Sequence, residues 1–224
     1  NYNSPFLMRL AEAVSLGDEF MGQLLTIKGR VLILQADEPF RHTQSKFRRM
    51  GINPGLFEVR HVEQYEMPEL KTLITSGDWD LIILDSLTYG LTDEKCGVSD
   101  EAFTRRLYKL MKWLGDSGVA CIGTTHLNKP WDGKARQVIV KHDVAGLSTI
   151  KNAVSDTWGL LPVAGHEDQF KMFCMGKRHC PTNTEWDIEG SVEDFSFVLT
   201  GCSRDMPKDR RNLTQKINDS LTEL

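Results

Sequence analysis

An α/β fold, a mostly parallel sheet flanked by helices with antiparallel strands toward the C-terminus, is predicted for this chain. Three observations predict it. Aliphatic runs such as Leu81, Ile82, Ile83 and Leu84 show no polar alternation, so both faces of that strand are expected to be buried. Such runs alternate with segments of helical periodicity, which implies parallel strands covered on both sides. Three of the runs, "VLILQADEP", "LIILDS" and "CIGTTHLNK", end in polar residues. In open α/β sheets that end of the strands is where ligands bind.

The elements follow in order. Residues 4–16 form a helix in which Phe6, Leu7, Leu10, Ala11 and Val14 share a face, with Gly17 as its stop. Residues 31–35 are a short buried strand. A basic helix is predicted over 39–50, because proline is tolerated in a first turn. "FEVRHV", 57–62, alternates as a strand, and 67–75 is a short helix leading to the strand at 81–85. Residues 100–114 form an amphipathic helix, followed by "GVACIGT", 118–124, as a further buried strand. Beyond Asp156 the pattern changes to strands with short links, at 158–163, 169–174, 185–188 and 195–199, so the sheet is expected to end in antiparallel hairpins. Residues 1–200 thus make up one core. Residues 201–224 are a polar tail with a short amphipathic helix, "LTQKINDSLTEL", in which Leu213, Ile217 and Leu221 share a face.

Composition narrows the function classes. A net charge of −4 argues against a generally basic nucleic-acid coat and leaves local patches open. No apolar run approaches the ~20 residues that span a bilayer, so no membrane partner is expected. The five cysteines, Cys96, Cys121, Cys174, Cys180 and Cys202, are odd in number and scattered. Cys121 and Cys174 fall inside apolar strands, which reads as reduced thiols of a cytoplasmic protein. With His179 the cysteines fit no CxxC pairing, so neither structural zinc nor a disulfide framework is expected.

The strand ends bring Asp37, Glu38, Asp85, Thr125 and His126 to one edge of the sheet. A single strand-end acid is often a helix cap, and a lone histidine is often structural; three such ends together point to a site. A carboxylate at the end of a doubly buried strand is costly to desolvate without a cation nearby. At Asp85 the expected cation is a metal that accompanies a phosphate.

At this point the chain resembles the RecA-like P-loop ATPase superfamily, in particular its RepA- and DnaB-type replicative helicase branch. The resemblance runs from Ser4 to about Leu199. It rests on the apolar strand ending at Asp85, on "ADEP", on "TTHLNK", on "GLSTIKNAVSDTWGL" and on "GKRHCPTNTEWDIE". It implies a RecA-like sheet and an ATPase that uses ATP and Mg²⁺ and is coupled to single-stranded DNA in replication. Asp85 would be the Walker B acid that holds the water shell of Mg²⁺. Asp37 falls on the position of the water-activating glutamate and Glu38 one place later, so the identity of the base stays open between them. His126 would sense the γ-phosphate, and Arg178, with Lys177 beside it, would reach the nucleotide of a neighbouring subunit in a ring or filament. Asp156 precedes the fifth strand of the family.

The family's phosphate cradle, GxxxxGK[ST], has no match in the chain. In the family it lies immediately before a helix like 4–16. Ser4 then takes the place of its final Ser/Thr, another Mg²⁺ ligand, and Asn3 stands where the phosphate-binding lysine belongs. Two explanations stay open: a loop that is clipped or disordered in the chain as given, or a degenerate site. Residues 129–151 carry five basic and two acidic residues. In RecA-like helicases such a segment faces the pore, so Lys129, Lys134 and Arg136 would track a DNA backbone and Trp131 would stack a base; a solvated loop is the plainer alternative. Arg41, Lys46, Arg48 and Arg49 give the second helix a basic face, either solvated or facing a subunit or phosphates. Two further function classes remain: a nucleotide-binding or structural subunit without turnover, and a KaiC- or RadA-like regulatory or recombination ATPase.

Overall fold

Two strands buried along their whole length set the frame. In the computed structural model, which describes residues 2–127, 148–175 and 184–203, β3 (Val31–Gln35) and β5 (Leu81–Asp85) are buried at every position. They lie side by side in a four-stranded parallel sheet of order β4-β3-β5-β6, with β4 at Glu58–His61 and β6 at Ala120–Gly123. The pleat divides their side chains between two layers. Leu32, Leu34, Ile82 and Leu84 pack with Leu70 and Ile74 of α3 (Met67–Thr75) and with Phe103, Leu107 and Leu110 of α5 (Glu101–Ser117). On the other face Val31, Ile33, Leu81 and Ile83 meet Leu7, Met8 and Ala11 of α1 (Asn3–Leu16) and Met50, the last residue of α2 (Phe40–Met50). Each large side chain buried in this way contributes about 1.5–3 kcal/mol.

The strand order fixes where a ligand can enter. From β3 the chain passes through α2 to β4 on one side, then through α3 to β5 on the opposite side of β3. That reversal is a topological switch point, and open α/β sheets bind ligands beyond the carboxyl ends of the strands at such a point. Register places Gln35 opposite Asp85 and Leu84 opposite Gly123, so the next residue, Thr124, falls beside Asp85.

The later strands depart from expectation in one respect. β7 (Trp158–Pro162), β8 (Gln169–Cys174), β9 (Thr184–Gly190) and β10 (Phe197–Ser203) are antiparallel, but among the described residues they form a separate sheet of order β10-β9-β8-β7. The cause is packing. One face of this sheet, with Phe170, Met172, Ile188 and Leu199, buries itself against Ala13 of α1 and Phe20 and Met21. α1 is therefore shared between the two sheets. It ends at Gly17, whose φ of 77° favours glycine, and the Gly17 N–H donates to the Ala13 carbonyl at 2.8 Å.

Three short elements escaped the periodicity: the hairpin β1 (Glu19–Phe20) and β2 (Leu24–Leu25), α4 (Leu87–Leu91) and α6 (Ser148–Ala153). None is long enough to carry a repeat. Cys121 is held as a thiol in β6, where burial pushes its pKa up to about 12. His179, Cys180 and the tail helix of 213–224 lie outside the described residues. Among the described residues no helix is long and apolar enough to cross a membrane.

Candidate nucleotide site

The site grows from the end of β5. Asp85 is only 4% exposed, and its carboxylate is surrounded by donors. Ser4 Oγ, in the first turn of α1, donates to Oδ2 at 2.6 Å, and Gln35 Nε2 donates to the same oxygen at 2.9 Å. Thr124 Oγ1 donates to Oδ1 at 2.6 Å. Ser4 and Gln35 are themselves buried. Three donors from three elements thus converge on one acid, and hydrogen bonds to a charged acceptor are about twice as strong as neutral ones.

The same arrangement separates the two neighbouring acids. Glu38 turns toward α2, where its Oε1 accepts from Thr43 Oγ1 at 3.1 Å and its Oε2 pairs with Lys46 Nζ. Asp37 turns the other way, toward the end of β6. Its Oδ2 lies 3.6 Å from Nε2 of His126, and the His126 side chain is 58% exposed. Asp37, Asp85 and His126 therefore share one edge, with Ser4 beside them, whereas Glu38 is held by the helix that follows it.

Below the edge, Tyr65 closes the site. Its hydroxyl lies 3.1 Å from the Leu34 carbonyl and 3.2 Å from that of Ser86. Burial, followed by the charges of Asp85, Cys121 and Asp37, raises its pKa well above the usual value for tyrosine. Gly90 lies against this ring. A Cβ there would stand 2.2 Å from Tyr65 Cε2, which leaves no room for a side chain.

Several expected residues lie elsewhere. Lys129, Trp131, Lys134, Arg136, Lys177 and Arg178 fall outside the described residues. On the basic helix, Lys46 is bound to Glu38, and Arg49 donates to the backbone carbonyls of Val192 and Glu193. Gln35, Thr124 and Tyr65 also line the site and are not among the residues expected from the sequence. Gln35 and Thr124 had a signal: both end apolar runs in register with Asp85. Tyr65 had none, because its role depends on the packing of Gly90.

Among the described residues no group of three or more His, Cys, Asp or Glu side chains is placed to hold a metal ion. That is compatible with Mg²⁺, which keeps several waters and uses one or two carboxylates together with substrate phosphates. Ser4 and Asp85 suit it as hard oxygen donors. Because the Ser4 hydroxyl donates its hydrogen bond to Asp85, its lone pairs are left for a cation.

The architecture is that of a RecA-like α/β domain. No family model matches the chain, and no curated protein matches it. Among solved structures, an ATPase domain is similar, with a TM-score of 0.59 over 77% of this chain and 75% of that one. At 9% identity the likeness is one of fold.

Proposed function

We propose that this chain is the core of a Mg²⁺-dependent ATPase of the RecA-like, replicative-helicase type, which couples ATP hydrolysis to single-stranded DNA. The observation that carries the proposal is the 2.6 Å hydrogen bond from Ser4 to Asp85 at the switch point of the sheet. P-loop NTPases hold their metal with a Ser/Thr at the start of a helix and an acid at the end of a strand. Here a helix-start serine and a strand-end acid meet without an intervening residue.

The roles follow from position. Asp85, whose carboxylate accepts three hydrogen bonds, would act on the metal through its water shell, and Ser4 would offer it a hydroxyl oxygen. Ser4 and Asp85 would hold Mg²⁺, which would supply positive charge to offset the charge that develops on the phosphates. Asp37 orients the attacking water, because it faces the open edge while Glu38 is tied to Lys46 and Thr43. His126, beside Asp37, responds to the terminal phosphate. By resemblance, Arg178 and Lys177 serve the nucleotide of a neighbouring copy in a ring or filament. By the same resemblance, Lys129, Trp131, Lys134 and Arg136 contact DNA.

The test is ATP hydrolysis by the protein, with and without Mg²⁺ and single-stranded DNA. Metal-dependent turnover that rises with DNA is expected. Lys134→Ala and Arg136→Ala should each reduce the salt slope of DNA binding by about one. One feature favours a second reading, a subunit without turnover: Asn3 occupies the position of the phosphate-binding lysine. Nucleotide binding without hydrolysis by the protein would select that reading.

A further inference from the structure

The side chain of Gln35 makes two hydrogen bonds in opposite senses. Its Nε2 donates to Asp85 Oδ2 at 2.9 Å, and its Oε1 accepts from the backbone N–H of Asp37 at 3.0 Å. The residue is 1% exposed, so neither half of the amide can turn to water instead. The amide has one orientation that satisfies both neighbours. A carboxylate can only accept and a backbone N–H can only donate, so turning the amide over would set acceptor against acceptor and donor against donor. The backbone on either side is fixed as well. The Ala36 N–H donates to the Asp85 carbonyl at 2.7 Å, and the Gln35 carbonyl accepts from the Val62 N–H at 3.0 Å.

We infer that Gln35 is a positioning residue that locks the water-orienting acid Asp37 to the metal-shell acid Asp85. The inference rests on the ATPase reading above. Asp37 is the first residue of the loop after β3 able to face the open edge. Among the described residues its side chain has no close hydrogen bond to hold it there, His126 lying 3.6 Å away. Its place relative to Asp85 is therefore set through its backbone, and the Gln35 amide is the side-chain link between them. Chemistry that requires a water in line with a phosphate is sensitive to this. A displacement of about 1 Å at such a group costs on the order of 10²-fold in rate.

The experiment uses two substitutions and two readouts. Gln35→Met keeps the volume of the side chain and removes both hydrogen bonds; Gln35→Glu keeps the acceptor for Asp37 and replaces the amide donor to Asp85 by a carboxyl that donates only when protonated. In the protein without nucleotide, amide hydrogen exchange by NMR should accelerate about tenfold at Asp37 in Gln35→Met. It should stay parental there in Gln35→Glu, and parental at Ile33 and Ile83 in both. In turnover, Gln35→Met should lower kcat about 10²-fold while KM for ATP moves less than about threefold. A merely structural role would change the core amides or KM as well. Parental exchange at Asp37 in Gln35→Met, or lost protection there in Gln35→Glu, overturns the link, and the second variant decides it even if the first does not fold. An active parent with unchanged kcat in Gln35→Met overturns the inference alone. A parent that neither binds nor hydrolyses ATP overturns the functional reading and, with it, the role of Gln35 in turnover.

Discussion

In the parallel sheet the acid stands at the end of a strand buried on both faces; in the antiparallel sheet the acids stand along the middle of a face. Asp85 meets Ser4, Gln35 and Thr124, one donor from each of three elements, and is almost inaccessible. On β9, Glu185 and Asp187 share Lys171 of β8 at 3.5 and 3.7 Å, with all three side chains a third or more exposed or close to it. The difference lies in what the fold must do for each charge. Water solvates the second group at little cost, and such pairs contribute about 0–1 kcal/mol. The first group is deprived of water, so the fold surrounds it with donors, and donors that converge from separate elements define a site.

Turnover offers the sharpest break between the two regions. Arg178→Ala should lose about 10³-fold or more in the ATPase rate if it serves as a finger across an interface. Asp85→Asn should remove most hydrolysis while keeping the fold, since an amide retains the shape of the carboxylate but lacks its charge. Stopped-assay kinetics alongside circular dichroism measure both. A monomeric protein at high concentration with nucleotide would count against the role of Arg178 in a neighbour's site.

The two adjacent acids carry the same comparison onto one loop. Asp37→Asn should lower kcat about 10²–10⁴-fold and spare nucleotide binding. Glu38→Ala should instead cost about 2 kcal/mol in urea unfolding, because Lys46 and Thr43 lose a charged partner. The reverse pattern would make Glu38 the base.

Alkaline titration addresses the sheet interior. The folded-state pKa of Cys121 is raised to about 12, so above pH ~9 the unfolded chain gives up a proton that the native state keeps. Stability should therefore be flat up to that pH and fall as pH rises toward 12, by at most about 1.4 kcal/mol per pH unit for this group. Tyr65, also raised, adds a loss of the same sign above pH ~10. Denaturation of Cys121→Ala at pH 8 and 10 should show the shallower slope. On the antiparallel sheet Lys171→Met should change stability by less than about 1 kcal/mol. A larger loss would mean that its acids are not simply solvated.

How much of this could be read in the sequence depends on how local the cause is. Asp85 was readable because four aliphatic residues before it state that its strand is buried, and parallel pairing then brought His126 and Asp37 to the same edge. Which of Asp37 and Glu38 faces the open edge was not, since Glu38 is turned away by Thr43 and Lys46, five and eight residues beyond it on the next helix. Gln35 reads in the sequence only as the end of a strand, because nothing local says that its amide spans two acids. The separate antiparallel sheet was unreadable for a similar reason: strand patterns state which face is apolar, not which helix covers it.

Whether this edge binds a nucleotide is read out by titration calorimetry of the protein with a non-hydrolysable ATP analogue. With Mg²⁺ present, one site per chain is expected, weakened at least about tenfold by Asp85→Ala or by removal of the metal. Absence of binding, or binding indifferent to both Asp85 and Mg²⁺, would contradict it.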